Sequence, residues 1–434
     1  MSTPAERAAS FRKLLAHVRE AYGLDFGFVL WDGSTVPADL PSDALAVVIA
    51  DEAVVAALVR RPKIDTVGDL WVTARLDLRN GTVLDLLSRR PKVRSREFRK
   101  RLDRWLTLRV LAKFLLLPRG GPWPLHDSLH GTPTPSSGSE VENKENIQYH
   151  YDVSNAFYAL FLDPEMVYSC GYFTDWNNDL ATAQRDKLDI TCRKLRLQPG
   201  ETLLDIGCGW GALVCHAAQH YGVHAHGVTL AQQQFDYTKE KVARLGLQDR
   251  VTLELREYST LQGSYDKIAS IGMFEHVGIA NHSAYFATIH RLLKPRGFYL
   301  HHAIARRAKM SERAFNRKAP EYVALTRYIF PGGEVDHLGM SIRNLESHGF
   351  EVRDVEGWRE HYRMTCRAWH DRLVANQAAA VREIGSVKTR LWVAYLAGCA
   401  IGFEGASVGI FQTLAVKRQR GLTDLPPTRS DLYR

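Results

Sequence analysis

The stretch LLDIGCGWGAL, from Leu203 to Leu213, decides the fold of this chain. Its apolar start predicts a buried strand that ends in an acid, and three glycines then follow at alternate positions, Gly207, Gly209 and Gly211. Glycine adopts positive φ and lets the backbone approach a ligand closely. The helix expected to begin near Gly211 directs its N-terminus at the loop. The stretch therefore predicts a nucleotide or nucleoside site at the carboxyl end of a strand in an open α/β sheet.

Strands and helices alternate downstream of this loop, with short connections. The strand candidates are TLLDIG, HAHGVTL, VTLELRE, YDKIASIG, GFYLHHAI and FEVRDVEGW; the helix candidates are ALVCHAAQHYG, AQQQFDYTKEKVARLG and SAYFATIHRLLKPRG. The segments LGL and KPRG place a glycine where a helix is expected to end. This alternation predicts a Rossmann-like, doubly wound and mostly parallel sheet with helices on both faces.

The 434 residues are expected to form two domains joined by a linker. Residues 1–116 show short, weakly patterned elements, including a strand, a turn at Asn80-Gly81 and a helix, and predict a smaller α+β domain. Residues 117–146 are rich in Pro, Gly and Ser and predict a flexible linker. Residues 147–434 are then the α/β domain.

The spacing of the glycines distinguishes between classes of nucleotide site. A dinucleotide fold requires GxGxxG and an acid about 20 residues further on. This loop is GxGxG with Asp205 before it, and the second strand ends in Thr229 and Leu230. The GK[ST] signature of a phosphate-binding loop is absent from it. An acid before GxGxG resembles the S-adenosylmethionine loop of class I methyltransferases; the alternative is a glycine turn that binds no ligand.

Several longer motifs narrow this resemblance. QYHYDVSNAFYALFLDPEMVYSCGYF precedes the α/β pattern, SIGMFEHVG follows the fourth strand, and LHHAIA follows the next helix. Together with DIGCGWGAL and GVTLAQQQ, they resemble the cyclopropane fatty acid synthase family, which includes the mycolic acid methyltransferases. The resemblance runs from Gln148 to the C-terminus, and residues 1–116 resemble those of the two-domain bacterial members only loosely.

The resemblance implies an enzyme that transfers the methyl group of S-adenosylmethionine to a carbon of a cis double bond in a phospholipid acyl chain. A carbocation forms in a dry apolar site, where nearby negative charge stabilises it. A proton must then leave this carbocation. Family members hold a bicarbonate ion in the site, and the removal of that proton is assigned to this ion. Ring closure gives the cyclopropane product that we expect. The alternative is a 10-methylene chain, for which a separate reductase is a further expected partner.

Five residues correspond to the family's contacts to bicarbonate. Their chemistry suits an anion site, because His and Tyr can donate hydrogen bonds and Glu can accept one or orient the His. They are Cys170, Glu275, His302, Ile304 through its backbone, and Tyr362. His301 is adjacent to His302 and, since neighbours on a strand face opposite ways, only one of the two is expected to reach the site.

The cofactor contacts follow from the same resemblance. The glycine loop is expected along the methionine and ribose, and Tyr168 and Ser169 over the methionine part. The residues after the second strand are expected at the ribose and adenine edge, those after the third strand beside the adenine, and Asp205 among the cofactor contacts as well. They are Tyr168, Ser169, Asp205, Gly207, Gly209, Gly211, Thr229, Leu230, Gln234, Glu257 and Tyr258.

Charge and composition indicate the surroundings in which the protein acts. The net charge of +9 favours an anionic partner, and the segment from Arg89 to Arg104 holds nine basic residues and two acids among apolar ones. This segment is either a solvated helix face or, as we expect, a surface that docks on an anionic membrane. Residues 1–116 would serve this docking or dimerisation into a homodimer.

The location expected from the sequence is cytoplasmic, peripheral to the inner face of the membrane. The start MSTPAERAASFRKLL lacks the apolar core of a signal peptide, and LWVAYLAGCAIGF is too short to span a bilayer. Six scattered cysteines without a CxxC pair favour a reducing compartment and argue against a metal site.

Two other functions compete with lipid methylation. A nucleic-acid methyltransferase would also suit the positive charge, but the chain has GMFEHVG after the fourth strand, where such enzymes carry an Asp/Asn-Pro-Pro-Tyr motif. We therefore expect no nucleic-acid partner. A non-catalytic lipid-binding protein would be favoured by a broken glycine loop or a missing Glu275, and both features are intact.

Overall fold

The computed structural model describes residues 2–89, 101–127, 154–330, 332–421 and 425–433. The chain forms two compact units. The N-terminal unit comprises residues 1–132, 320–324 and 377–401. The α/β unit comprises residues 133–319, 325–376 and 402–434.

The N-terminal unit is built on a sheet of four short strands in the order β2-β1-β3-β4. Strands β1 and β3 are parallel and the other pairs are antiparallel. The strands are β1 (Gly27–Val29), β2 (Thr35–Val36), β3 (Ala46–Ile49) and β4 (Leu76–Arg79). The helices are α1 (Pro4–Tyr22), α2 (Glu52–Arg60), α3 (Ile64–Val72), α4 (Val83–Ser88), α5 (Arg104–Leu111) and α6 (Pro124–Asp127). The strand, turn and helix predicted around Asn80-Gly81 are confirmed. The strand is β4, the helix is α4, and Asn80-Gly81 lies in the connection between them.

Local sequence explains where the first helix begins and ends. Thr3 and Glu6 form a reciprocal capping box at its N-terminus, and Gly23 ends it in the left-handed conformation, with φ of 58°. Its buried side chains Phe11 and Leu14 enter a core that also contains Phe114. Burial of these apolar side chains supplies most of the stability of a small unit of this kind.

The boundaries of the N-terminal unit differ from those predicted. The predicted linker starts at residue 117, but α6 packs on α3, with Leu125 buried and its N–H donating to Asp69 Oδ1 at 2.7 Å. Residues 128–146 of that linker lie outside the described residues. The same holds for residues 90–100 of the predicted basic segment.

Residues 377–401 belong to the N-terminal unit, although the sequence assigned them to the α/β domain. Arg390 anchors them there: its guanidinium lies 3.9 Å from the centre of the Trp71 ring. The Nε atom of Arg390 donates to Trp71 O at 2.6 Å, and Trp71 Nε1 donates to Arg390 O at 2.9 Å. These long-range contacts have no signature in local sequence, which explains why the prediction missed them.

The α/β unit has a seven-stranded sheet in the order β10-β11-β9-β8-β5-β6-β7. Strand β11 is antiparallel to both of its neighbours, and the pairs from β9 to β7 are parallel. The strands are β5 (Thr202–Ile206), β6 (His224–Thr229), β7 (Val251–Leu255), β8 (Tyr265–Ile271), β9 (Leu293–Arg306), β10 (Phe350–Gly357) and β11 (Val408–Lys417). The doubly wound, mostly parallel α/β sheet is thereby confirmed; β11 was missed.

Helices cover both faces of this sheet. Leu203 of β5 packs with Leu213 and Val214 of α9, whereas its neighbour Leu204 packs with Phe286 and other residues of α11. The helices from residue 155 onward are α7 (Asn155–Ala159), α8 (Leu180–Leu195), α9 (Ala212–Tyr221), α10 (Gln232–Arg244), α11 (His282–Leu292), α12 (Glu312–Asn316), α13 (Pro320–Tyr328), α14 (Leu338–Ser347), α15 (Arg359–Ala375) and α16 (Gln377–Glu404). Helices α13 and α16 contain residues of both units, and Gly385 interrupts α16.

Two sequence predictions on helix ends have different outcomes. Gly246, in LGL, follows α10 with a positive φ of 67°, as expected of a residue just after a helix. Gly297, in KPRG, lies within β9, because α11 already ends at Leu292. Among the described residues, no helix is both long and apolar enough to cross a membrane.

Candidate active site

The glycine loop lies where the order of strands reverses. Strand β5 has β6 on one side and β8 on the other, so its carboxyl end is the switch point at which open α/β sheets bind ligands. Gly207, Gly209 and Gly211 all have positive φ, of 79°, 54° and 77°. The N–H groups of Gly207 and Cys208 both donate to Val228 O, at 2.9 and 3.0 Å, which joins the loop to β6.

Gly211 is needed because of its neighbour on α10. A Cβ atom at this position would lie 2.2 Å from Thr238 Cγ2. Thr238 is fixed, since its hydroxyl donates to Gly209 O at 3.1 Å and to Gln234 O at 2.7 Å. The packing of α10 against the loop thus excludes any side chain at Gly211.

A cavity of about 270 Å³ opens beside this loop. Ten of the eleven predicted cofactor residues line it. They are Tyr168, Ser169, Asp205, Gly207, Gly209, Thr229, Leu230, Gln234, Glu257 and Tyr258. Gly211 is not among the lining residues, and its direct contact with a cofactor stays a prediction.

Polar contacts fix the walls of the cavity at the end of β6 and after β7. The Thr229 hydroxyl donates to Gln234 Oε1 at 2.9 Å. Glu257 accepts a hydrogen bond from Ser259 N at 2.7 Å and caps a short 3-10 turn. The ring of Tyr258 packs edge-on against Tyr285, with centroids 5.5 Å apart.

The opposite wall is the segment that carries Tyr168 and Ser169. The buried Asp163 carboxylate accepts hydrogen bonds from the N–H groups of Glu165 and Val167, both at 2.9 Å. The Gln184 side chain of α8 donates to Ser169 O at 2.9 Å. This segment is therefore held in one conformation beside the glycine loop.

Lys187 is a lining residue that the sequence prediction missed. It is buried, and its Nζ donates to Ser169 Oγ at 3.1 Å. Burial lowers its pKa to about 8, with the charges of Asp163 and Asp205 opposing that shift. Burial likewise raises the pKa of Asp205 to about 7, and Lys187 opposes it. Lys187 lies on the buried stripe of α8, where a lysine among buried positions is itself a signal.

The five residues predicted to contact bicarbonate do not line this cavity but lie next to it. Gly272, which lines the cavity, donates its N–H to His302 O at 2.9 Å. Glu275 is buried, and its Oε1 accepts a hydrogen bond from Ile304 N at 2.6 Å. The backbone N–H of Ile304 is thus already engaged by the carboxylate.

Trp358 connects the other members of this cluster, and sequence reasoning missed it. It is fully buried. Cys170 Sγ lies 3.9 Å from Trp358 O, and the His302 ring meets the Trp358 ring at a centroid distance of 5.1 Å. Tyr362 donates its backbone N–H to Trp358 O at 3.0 Å, in the first turn of α15. The only sequence signal was its place at the end of the strand candidate FEVRDVEGW.

The cluster contains buried polar atoms without hydrogen-bond partners among the described residues. These atoms are Glu275 Oε2 and both ring nitrogens of His302. Burial raises the pKa of Glu275 to about 7. Burial, with the nearby lysine charges, holds the pKa of His302 well below its usual value, so this imidazole is neutral. Buried polar atoms are normally satisfied, and this set is therefore suited to a small polar ligand.

The two adjacent histidines face opposite sides of the sheet, as the sequence predicts. His301 Nδ1 lies 2.9 Å from Tyr299 Oη, and the His301 ring packs edge-on against Phe274. His302 packs on Trp358 instead. The register of β9 therefore puts His302 with the cluster.

Two features define a class I S-adenosylmethionine-dependent methyltransferase. One is the sheet order with its antiparallel β11, and the other is the acid and glycine loop at the switch point. The chain belongs to a particular family of these enzymes: residues 139–413 match the family described as mycolic acid cyclopropane synthetase.

Similar proteins agree with this assignment. The chain is 42% identical over 305 residues to a probable fatty acid methyltransferase of Pseudomonas putida, covering 70% of this chain and 77% of that one. It is 36% identical over 265 residues to the cyclopropane-fatty-acyl-phospholipid synthase of Escherichia coli, covering 61% and 66%. The crystal structure of mycolic acid cyclopropane synthase CmaA1, complexed with SAH and CTAB, matches with a TM-score of 0.59 and 34% identity over 63% of this chain and 98% of that one.

Proposed function

We propose that this enzyme adds a methylene bridge across a cis double bond of an unsaturated phospholipid acyl chain, giving a cyclopropane. One observation carries the proposal: a cavity lined by residues suited to S-adenosylmethionine adjoins a buried cluster in which an acid and an imidazole have polar atoms that find no partner in the described part of the chain. The names of the similar proteins from P. putida and E. coli support a fatty acyl substrate.

The proposed reaction moves one carbon and releases one proton. The bond between sulfur and the methyl carbon breaks, and its electron pair stays on sulfur. The π electrons of the double bond form the new carbon–carbon bond, which leaves a cation on the other olefinic carbon. A proton then leaves the added methyl group, and the electron pair of that C–H bond closes the ring. The lipid gains CH₂ in total.

The surroundings of the cluster favour a short-lived cation. Tyr362 packs against Phe403 and Trp369, with ring centroids 4.5 and 5.9 Å away. Such aromatic walls exclude water that would otherwise capture the cation. Glu275 supplies the negative charge near it, since a carboxylate with a pKa of about 7 is partly ionised at neutral pH.

The cluster also fits the bicarbonate ion that the family resemblance implies. His302 can donate one N–H to an oxyanion, and Glu275 Oε2 can accept a hydrogen bond from its OH group; both atoms lack other partners among the described residues. When bound there, bicarbonate would supply a base for the leaving proton. We assign Glu275 to orienting this base, and Cys170, Ile304 and Tyr362 to enclosing it.

Lipid analysis tests the proposal. The chain is expressed in a host that makes oleoyl phospholipids, with Glu275→Gln as the matched inactive control. We expect a mass gain of one CH₂ per modified acyl chain that resists mild hydrogenation. A gain that takes up hydrogen would indicate the methylene product, and with it a reductase as a further partner. Unmodified lipids together with tight binding of S-adenosylmethionine would refute a lipid acceptor.

The proposed substrate requires access to a bilayer. We therefore propose that the enzyme works as a peripheral protein at an anionic membrane surface, with the N-terminal unit contributing to docking or to a homodimer. The net charge of +9 supports an anionic surface.

A further inference from the structure

Four large apolar side chains are exposed close together in sequence on the N-terminal unit. Trp105 and Leu108 lie on one face of α5, and Leu115 and Leu116 follow in the turn after it. Their exposed fractions are 80%, 63%, 48% and 86%. We call these four residues the α5 surface. Isolated exposed apolar residues are ordinary, but four on one short segment, two of them on the same helix face, favour an interaction site.

The α5 surface is presented by a fixed scaffold. Val110 and Phe114, on the other side of the same segment, are buried in the core of the N-terminal unit. Arg60 of α2 donates hydrogen bonds to the backbone carbonyls of Leu115 and Leu117, the first at 2.8 Å. The backbone that carries Leu116 is therefore fastened, and the exposure of its side chain is a property of the folded unit.

Positive charge accompanies these apolar side chains. Arg104, Arg109 and Arg119 are exposed within the same segment. Residues 101–119 contain one acid, Asp103, whose carboxylate accepts the N–H groups of Trp105 and Leu106 as the helix cap. The segment that carries the α5 surface thus combines exposed apolar side chains with exposed arginines and a single acid.

This combination identifies one kind of occupant. A second copy of the chain, placed with its α5 surface on the first, would bring two sets of arginines together and would be repelled. An anionic bilayer accepts both features, because Trp and Leu enter the interface while arginines contact the lipid phosphates. We infer that the α5 surface docks the enzyme on anionic phospholipid bilayers. This inference rests on the proposed lipid substrate, since docking brings the enzyme to its acyl chains.

Vesicle binding tests the inference with the full chain. The wild type is sedimented with vesicles of phosphatidylcholine mixed with phosphatidylglycerol, and with vesicles of phosphatidylcholine alone. The double variant Trp105→Ser/Leu116→Ser is compared with Leu245→Ser, an exposed leucine of the α/β unit. We expect the double variant to bind mixed vesicles at least about tenfold more weakly, and the control to bind normally.

A second pair of variants tests the charge. Arg104→Gln/Arg109→Gln should weaken binding to mixed vesicles by roughly 25-fold at low salt, since each cation near an anionic surface contributes about fivefold. Lys239→Gln, which removes an exposed cation from the α/β unit, is the control. Equal binding of the wild type to neutral and mixed vesicles would overturn the choice of an anionic surface.

A fluorescent label on the α5 surface tests docking even where one of the serine or glutamine variants misfolds. An environment-sensitive dye at L116C should shift to the blue on mixed vesicles, and the same dye at L245C should not; the native cysteines are buried or half-buried. An unchanged L116C signal would mean that this surface does not meet the bilayer. Loss of a dimer in the double variant, with vesicle binding intact, would identify a second copy as the occupant and refute docking.

Methyl transfer to dioleoyl phosphatidylglycerol in detergent micelles separates this inference from the proposed function. The double variant should keep wild-type turnover in micelles, because docking is then not needed. A wild type that binds vesicles but modifies no lipid in micelles would contradict the proposed function while leaving docking intact. Normal vesicle binding by the double variant would contradict docking through the α5 surface while leaving the proposed function intact.

Discussion

Gly211→Ala should destabilise the α/β unit through a single steric contact. The left-handed backbone at this position costs alanine about 1–2 kcal/mol. The new Cβ would lie 2.2 Å from Thr238 Cγ2, and overpacking of this kind costs about 1–3 kcal/mol. We therefore expect the free energy of unfolding to fall by about 2–5 kcal/mol in urea titrations followed by tryptophan fluorescence.

Two further variants separate the backbone cost from the steric cost. Gly200 also has positive φ, of 82°, but nothing lies within 4 Å of its missing Cβ, so Gly200→Ala should cost only the backbone term, about 1–2 kcal/mol. Thr238→Ser removes the clashing methyl group and keeps the hydroxyl that bonds Gly209 O. In the Thr238→Ser background, Gly211→Ala should lose most of its steric cost.

Either of two results would contradict a steric contact between Gly211 and Thr238. Equal losses for Gly211→Ala and Gly200→Ala would mean that the packing of α10 on the loop tolerates a side chain. An undiminished loss in the Thr238→Ser background would mean that the contact with Cγ2 is not the cause, since a double-mutant cycle isolates that pair.

Three other changes should have distinct signatures. Glu275→Gln should leave calorimetric binding of S-adenosylhomocysteine intact and lower kcat about 10²–10⁴-fold. Because burial raises the pKa of Glu275 to about 7, wild-type kcat should rise with pH through that value as the carboxylate ionises, and the variant should lose this rise. Lys187→Met removes the donor to Ser169 Oγ and the charge that opposes protonation of Asp205, so it should weaken S-adenosylhomocysteine binding about tenfold or more. Arg390→Met should lower the unfolding free energy by about 2 kcal/mol, because Trp71 loses a hydrogen-bonded partner stacked on its ring.

Each of these outcomes has a contrary result. Unimpaired turnover of Glu275→Gln would remove this residue from the reaction, and a retained pH rise would assign the titration to another group. Normal cofactor affinity of Lys187→Met would reduce that lysine to a buried residue without influence on the cavity. Unchanged unfolding of Arg390→Met would mean that residues 377–401 are held in the N-terminal unit without a contribution from the Arg390 guanidinium.

Sequence patterns predicted the parts of the fold that repeat locally. Strands β5 to β10 and helices α9 to α11 have strong apolar patterns, and their predicted positions match the structure to within a few residues. Strand β11 was missed because it follows the long apolar segment of α16, so that periodicity alone did not mark a new element. Residues 377–401 were assigned to the wrong unit for a related reason, since a helix carries no local record of the surface it packs against.

The site was predictable where motifs place residues on one edge of the sheet. The loop after β5 and the ends of β6 and β8 meet at the cavity because parallel strands present their carboxyl ends together. Lys187 and Trp358 escaped prediction because their importance comes from burial beside distant segments: Ser169 for the lysine, and Cys170 and His302 for the tryptophan. Those contacts join residues far apart in the chain, which spacing does not reveal.

The position of β11 has a consequence for biosynthesis. This strand includes residues 408–417, yet it is inserted between β9 and β10, which are translated much earlier. A nascent chain therefore carries two unpaired strand edges, one of them bearing His302, until residues 408–417 have been translated and can pair with them. Until β11 is inserted, both edges are open to pairing with other chains, so this insertion is the step of folding most exposed to aggregation.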